Sequence, residues 1–235
     1  MRETAPVIED VRTRAVLAPL AHPIRTASGT IPSAPLVLID VIVERGVTGH
    51  AYIFGYSPVT LRPLVALIEN LKEMVVGKTA APVERMADFT AAFRLLGRQG
   101  LMGMAISGLD MALWDALGRA NDLPVCALLG GEARAIPAYD SYGAVDPAKD
   151  AGRLEDSLAR GFKTIKIKTG SGGLQDDMEN VAAVRERIGA ETSLMIDYNQ
   201  SLTVPEAVRR IDRLAEHDLL WVEEPVPAED LEGHA

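Results

Sequence analysis

Two lysines, two carboxylates and an amide sit near the ends of three short apolar runs: Lys166 and Lys168 in KTIKIKTG, Asp197 and Asn199 in LMIDYNQS, and Glu223 in LLWVEEP. Residues two apart on a strand point to one face, so each lysine is expected beside the other, and Asp197 beside Asn199. Crowded ammonium groups disfavour each other's charge. The expected result is a lowered pKa and a lysine that can act as a base near neutral pH. Asp197 and Glu223, on neighbouring strands, could hold one hard cation, and oxygen ligands suit Mg²⁺ or Mn²⁺. Four scattered histidines and one cysteine form no zinc-type cluster. Taken singly, each residue has a plainer reading: a lysine facing solvent at a strand end, or a carboxylate capping a helix. The ordered set Lys-x-Lys, Asp-x-Asn and Glu-Glu-Pro, each closing a strand, is what points to chemistry.

The elements that must position them follow from the patterning. The three runs read as buried strands, and the segments between them have helical spacing and enough length to cross back over a sheet. That is a β-α-β-α-β order, so the strands are expected to be parallel, with chemistry gathered at their carboxyl ends. Helices are expected over Asp177 to Ile188 and over Val204 to Ala215. The second carries Val204, Ala207, Val208, Ile211, Leu214 and Ala215 as one stripe, with Pro205 in its first turn. IPAYDSYGA reads as an extended linker strand, followed by a helix from Asp146 to Arg160. TGSGG, after the first lysine strand, lacks the spacing of a phosphate cradle and reads as a short βα turn.

The first part of the chain has a different order. Residues 7–20 read as a strand, HPIRTASGTIPS as a turn-rich segment, Leu36 to Val43 as a second strand, and Val47 to Phe54 as a third after an Arg45-Gly46 hairpin turn. Ser57-Pro58 is expected to start a helix with the Ser57 hydroxyl as its cap. Further helices are expected over Pro82 to Leu96 and Met102 to Ala120, before PVCALLGG closes the region. Strands first and helices after give an α+β domain at 1–135, with a second, α/β domain at 136–235.

A formal net charge of −9 argues against nucleic acid or an anionic membrane as partner. The longest apolar run, Ala34 to Val43, is too short to span a bilayer and contains Asp40. MRETAPVIEDVRTR carries acidic residues where a signal peptide needs an apolar core, and lone Cys126, read as a small core residue, can form no internal disulfide; both fit a cytoplasmic protein. Three strands make an unfinished sheet, and a whole (β/α)₈ barrel takes about 250 residues. The chain therefore reads as the N-terminal portion of something longer.

IKIKTG, MIDYNQSLTVPEA and WVEEP, together with AYDS, MALWDALG, PLVLIDV and RTRAV, resemble the enolase superfamily, and within it the mandelate racemase group. The resemblance covers almost the whole chain. It implies an α+β capping domain followed by a modified TIM barrel of which the first three βα units are present, a homo-oligomeric parent, and removal of a proton α to a carboxylate with Mg²⁺ stabilising the enediolate. It implies Lys168 as the base, Lys166 as the group that depresses its pKa and lies against the substrate carboxylate, Asp197 and Glu223 as two metal ligands, and Asn199 and Ser141 at the substrate. Ile24, Thr26, Ile31 and Tyr56 fall at pocket-lining positions of two loops; Ile24 and Ile31 also fit ordinary loop packing. An apolar lid suits an apolar substituent, hence racemisation of a 2-hydroxy acid such as mandelate. The rival activity is dehydration of an acid sugar; a rival of another kind is an inactive fragment. Tyr142 stands where the group has a histidine, and Ser28 and Pro32 replace apolar or glycine positions. A third carboxylate ligand and a histidine–aspartate second acid/base are expected of the family and lie outside these residues. His217 and His234 read as surface residues, so the chain by itself is expected to show no turnover.

Overall fold

The computed structural model describes residues 5–26 and 29–235, so Ser28 lies outside the described residues. The chain divides into two compact units, Met1–Pro19 with Ser33–Ala135, and Leu20–Pro32 with Ile136–Ala235.

β1 (Ile8–Thr26), β2 (Gly29–Val43) and β3 (Val47–Phe54) form a sheet in that order, with β2 and β3 antiparallel from Leu36↔Phe54 to Val43↔Val47; the first unit holds β1 up to Pro19, β2 from Ser33 and all of β3. Arg45 and Gly46 both have positive φ (66° and 72°), the geometry a tight hairpin of this twist demands. The strands run much further than their patterning suggests. HPIRTASGTIPS is extended through its described residues and not a loop of turns, and Pro23 and Pro32 both sit within strand.

Helices α1 (Leu61–Val75), α2 (Pro82–Ala92) and α3 (Gly100–Ala120) cover this sheet, and α4 (Val125–Leu128) closes the unit. Leu64, Ile68 and Leu71 of α1 and Ile106, Leu109 and Leu113 of α3 meet Val37, Ile39 and Val41 of β2 in one core. Contact between α3 and β3 is closest at Gly49, where an added Cβ would fall inside the backbone of Ala112 and Ala116. Ser57 makes no capping bond. The Thr60 hydroxyl donates instead to Gly55 O and Ser57 O (both 2.7 Å), so a 3₁₀ turn at Pro58–Thr60 precedes α1. Cys126 is only partly buried.

The second unit holds a parallel sheet in the order β4 (Asp140–Ala144), β5 (Thr164–Lys168), β6 (Ser193–Asp197) and β7 (Leu219–Glu223). It is four-stranded because the linker segment joins the lysine strand as β4, with Ser141 opposite Lys166. Helices α5 (Ala151–Ala159), α6 (Leu174–Ile188) and α7 (Val204–Leu214) connect the strands. Leu154, Val181, Val184, Ile188, Ala207 and Leu214 pack on Ile165, Ile167, Leu194 and Ile196. The α7 stripe differs from the expected one: Val208 is 65% exposed, whereas Arg210 is buried. Helices α6 and α7 begin with side chains satisfying free amides. Asp176 accepts from Gly173 N–H (2.7 Å), and Glu206 accepts from the Thr203 hydroxyl and amide (2.8 and 3.2 Å). Among the described residues, no helix is long and apolar enough to cross a membrane.

Candidate active site

Lys168, Asp197 and Glu223 end three consecutive parallel strands and are register partners: Lys168 opposite Asp197, and Asp197 opposite Glu223. Backbone pairing continues one residue past each strand, with Thr169 N–H donating to Asp197 O (2.9 Å) and Tyr198 N–H to Glu223 O (3.0 Å). The strand ends are therefore held level, and their inward side chains converge.

Asp197, only 2% exposed, is the hub. Its Oδ2 meets the ammonium groups of Lys168 (2.6 Å) and Lys166 (3.3 Å), and its Oδ1 accepts from the Asn199 backbone and side-chain N–H groups (both 2.8 Å). Lys166 also donates to Glu223 Oε1 at 2.8 Å. Asn199 lies beyond the strand with φ 46°, so it reaches Asp197 through a local turn and not by sharing a strand face. Its Oδ1 is buried without a hydrogen-bond partner.

The electrostatics correct one expectation. Burial pushes the Lys166 pKa down, but the hydrogen bond it donates to Glu223 and the charges of Asp197 and Glu223 outweigh it and hold the pKa above the ordinary lysine value. The expected depression fails for Lys166 because two carboxylates lie closer to its charge than the Lys-x-Lys spacing alone reveals. Burial likewise pushes the Asp197 carboxyl up, yet the Lys168 bond, the Asn199 amide and both ammonium charges hold it below the usual carboxylate range.

A group with a depressed folded-state pKa contributes stability that is complete above the unfolded value, about 3.9 for aspartate, and is lost as pH falls through the lower folded value. In the metal-free protein, Asp197→Asn is therefore expected to flatten the fall of stability below about pH 4, read by denaturant unfolding at a series of pH values. Parallel acid limbs for the two proteins would contradict this assignment.

The donor set suits a hard divalent cation in kind: two carboxylates from adjacent strands, with an unpaired amide oxygen beside them. It is incomplete in number. Among the described residues, no three His, Cys, Asp or Glu side chains are grouped as a metal site. Two aromatic rings that strand patterning left unassigned border the cluster. Tyr139 lies 5.6 Å below the Lys166 ammonium and packs edge-on to Trp221 at 5.8 Å. The available signal is that Tyr139 precedes Ser141 by two.

Other expected site residues are placed differently. Ser141 is exposed, opposite Lys166 in register. Ile24, Thr26 and Ile31 are half-buried in the segment that belongs to the second unit, and the Thr26 hydroxyl donates to Gly29 O (3.0 Å). Tyr56 belongs to the first unit and is 73% exposed, its ring edge-on to Phe54 at 4.8 Å. Tyr142 is buried, and its hydroxyl donates to Arg153 O (2.8 Å) on the helix side of β4. His234 is exposed, but His217 is partly covered near Glu216.

An antiparallel-sheet unit capped by helices, followed by parallel βα units with lysines and carboxylates closing the strands, defines a class, and comparison with known proteins agrees. Residues 8–130 match the mandelate racemase/muconate lactonizing enzyme N-terminal domain, and residues 149–235 match the enolase C-terminal domain-like family. The chain belongs to the mandelate racemase/muconate lactonizing enzyme family of the enolase superfamily, and its second unit is the start of that family's (β/α) barrel. It is 52% identical to a Bradyrhizobium enolase whose crystal structure is complexed with magnesium and mandelic acid, with a TM-score of 0.95, covering 100% of this chain and 65% of that one. It is 34% identical to the D-galactarolactone cycloisomerase of Agrobacterium fabrum, covering 97% of this chain and 61% of that protein. It is 30% identical to the L-talarate/galactarate dehydratase of Salmonella typhimurium, covering 99% and 61%. The chain thus spans less than two thirds of the length of these relatives.

Proposed function

We propose that the full-length protein is a Mg²⁺-dependent enzyme that removes a proton α to a carboxylate and racemises a 2-hydroxy acid of the mandelate type. The observation that carries this reading is the set of register-matched strand ends that brings the Lys168 ammonium within 2.6 Å of Asp197 and sets Lys166 between Asp197 and Glu223. Asp197 and Glu223 would hold the cation. Bound there, it would supply positive charge against the substrate carboxylate and the negative charge that grows on proton removal.

The remaining work falls to the chain's own groups. Lys168 Nζ is the proton acceptor, and its partial exposure (16% of the side chain) leaves it accessible, unlike Lys166 at 8%. Lys166, with a pKa held high, stays an ammonium and offers fixed positive charge to the substrate carboxylate. Asn199 orients Asp197 through two bonds to Oδ1 and has a carboxamide oxygen to spare. Ser141, exposed opposite Lys166, is a hydroxyl donor for the substrate, and Ile24, Thr26, Ile31 and Tyr56 are proposed as substrate-binding residues.

Likeness to the magnesium and mandelic acid complex supports racemisation, and likeness to L-talarate/galactarate dehydratase supports a second reading, loss of a β-hydroxyl from an acid sugar after the same proton removal. The full-length protein, incubated with Mg²⁺ and (R)-mandelate in D₂O, is expected to exchange the α-hydrogen and form the S enantiomer, followed by NMR and chiral chromatography. Absence of exchange at high protein concentration, with dehydration of an acid sugar instead, would replace the first reading by the second.

A further inference from the structure

On the opposite side of β5 and β6 from the lysines lies a second buried ion pair. Asp177, in the first turn of α6, and Arg210, on α7, are 4% and 7% exposed, with Arg210 Nη1 donating to Asp177 Oδ2 at 2.6 Å. Both residues are also tied to the turn that follows Lys168. Asp177 Oδ1 accepts from Gly170 N–H (3.0 Å), and Arg210 Nη1 donates to Gly172 O (3.0 Å). Gly170 has φ +83°, and a Cβ there would come within 2.8 Å of the Tyr198 ring and 2.6 Å of the Ser201 hydroxyl. The turn backbone thus lies against the residue that follows Asp197. Between Lys168 and Gly170, buried Thr169 donates its N–H to Asp197 O (2.9 Å).

We propose that the Asp177–Arg210 pair is a positioning device for Lys168. It clamps the β5–α6 turn at Gly170 and Gly172 and, through Thr169, keeps the end of β5 level with the end of β6. The energetics favour this over a purely stabilising role. Burying two charges costs several kcal/mol in desolvation, and well-packed apolar residues of similar volume often serve stability as well or better. Arg210 is not arranged for the best-satisfied pair either, since its Nε is buried without a partner while Nη1 serves both Asp177 and the turn carbonyl. What an apolar pair cannot supply is an acceptor for Gly170 N–H and a donor to Gly172 O.

The test uses the full-length protein carrying Asp177→Leu and Arg210→Met together, with the milder Arg210→Lys as a second variant that keeps the charge but replaces the planar, rigid guanidinium by a compact, strongly hydrated ammonium on a flexible stem. Amide hydrogen exchange of the segment 166–173, measured by mass spectrometry, is expected to quicken about tenfold or more in the double variant and severalfold in Arg210→Lys, with the α3 segment unchanged. Displacement of Lys168 on the scale of an ångström predicts a fall in kcat of about 10²-fold with little change in KM. Exchange in 166–173 within twofold of wild type in both variants would overturn the proposal. The kcat readout rests on the proposed role of Lys168, whereas the exchange readout does not. A wild-type protein without α-proton exchange would sink the proposed function, and segment 166–173 would still decide this one.

Discussion

Lys168→Met is expected to lower α-proton exchange by the full-length protein by about 10³-fold, within the range that a positioned general base contributes, while leaving the fold intact. Methionine matches the lysine stem in length and flexibility, and Asp197 keeps three of its four donors: Lys166, the Asn199 amide and the Asn199 carboxamide. A loss of activity at unchanged melting temperature would therefore report chemistry and not packing. Lys168→Arg separates charge from proton acceptance. Arginine retains a cation for Asp197 but does not give up its proton in a protein, so it is expected to be as inactive as methionine. Wild-type exchange by Lys168→Arg, read by NMR in D₂O, would remove Lys168 from the role of base.

The largest effect on stability is expected at Asp197. Asp197→Ala leaves the Lys166 and Lys168 ammonium groups, 8% and 16% exposed, without their shared counter-ion. Breaking a buried pair from one side costs about 3–5 kcal/mol, because the remaining charge is left uncompensated. Glu223 still accepts from Lys166, so the deficit falls chiefly on Lys168. A second change, Lys168→Met, is accordingly expected to recover part of the loss, and urea unfolding of the four proteins of that cycle would measure the coupling. Additive losses would show that the Asp197–Lys168 contact contributes nothing of its own. The same substitution tests the metal assignment. Ligand that binds only the folded state raises stability with concentration, so Mg²⁺ is expected to raise the midpoint of wild type and to leave Asp197→Ala unmoved.

Those two residues show how far sequence carries in this chain. Strands β5, β6 and β7 were legible because buried parallel strands read as continuous apolar runs, and their carboxyl ends coincide with the charged residues that close each run. The Val47–Phe54 strand and the Arg45-Gly46 turn were legible for the same kind of local reason. The extent of β1 and β2 was not. His22-Pro23 and Pro32 carry local signals for turns, and the pairing of β1 with β2 in the sheet overrides them. Nor was Arg210 legible, since a helical stripe is counted in apolar residues; Val208 fits that count and is exposed, while Arg210 is buried against a carboxylate 33 positions away. The raised pKa of Lys166 was hidden similarly. Spacing along one strand places two ammonium groups together, but only register across three strands reveals that Asp197 and Glu223 meet them. For Ile24, Thr26, Ile31 and Tyr56, family likeness was the only signal.

The most direct measurement is a crystal structure of the full-length protein with Mg²⁺ and a 2-hydroxy carboxylate. The expected result places the metal on Asp197 and Glu223, the Lys166 ammonium at the ligand carboxylate, and Lys168 Nζ about 3–3.5 Å from the α-carbon. A metal bound elsewhere, or a Lys168 still paired to Asp197 with the ligand in place, would contradict it.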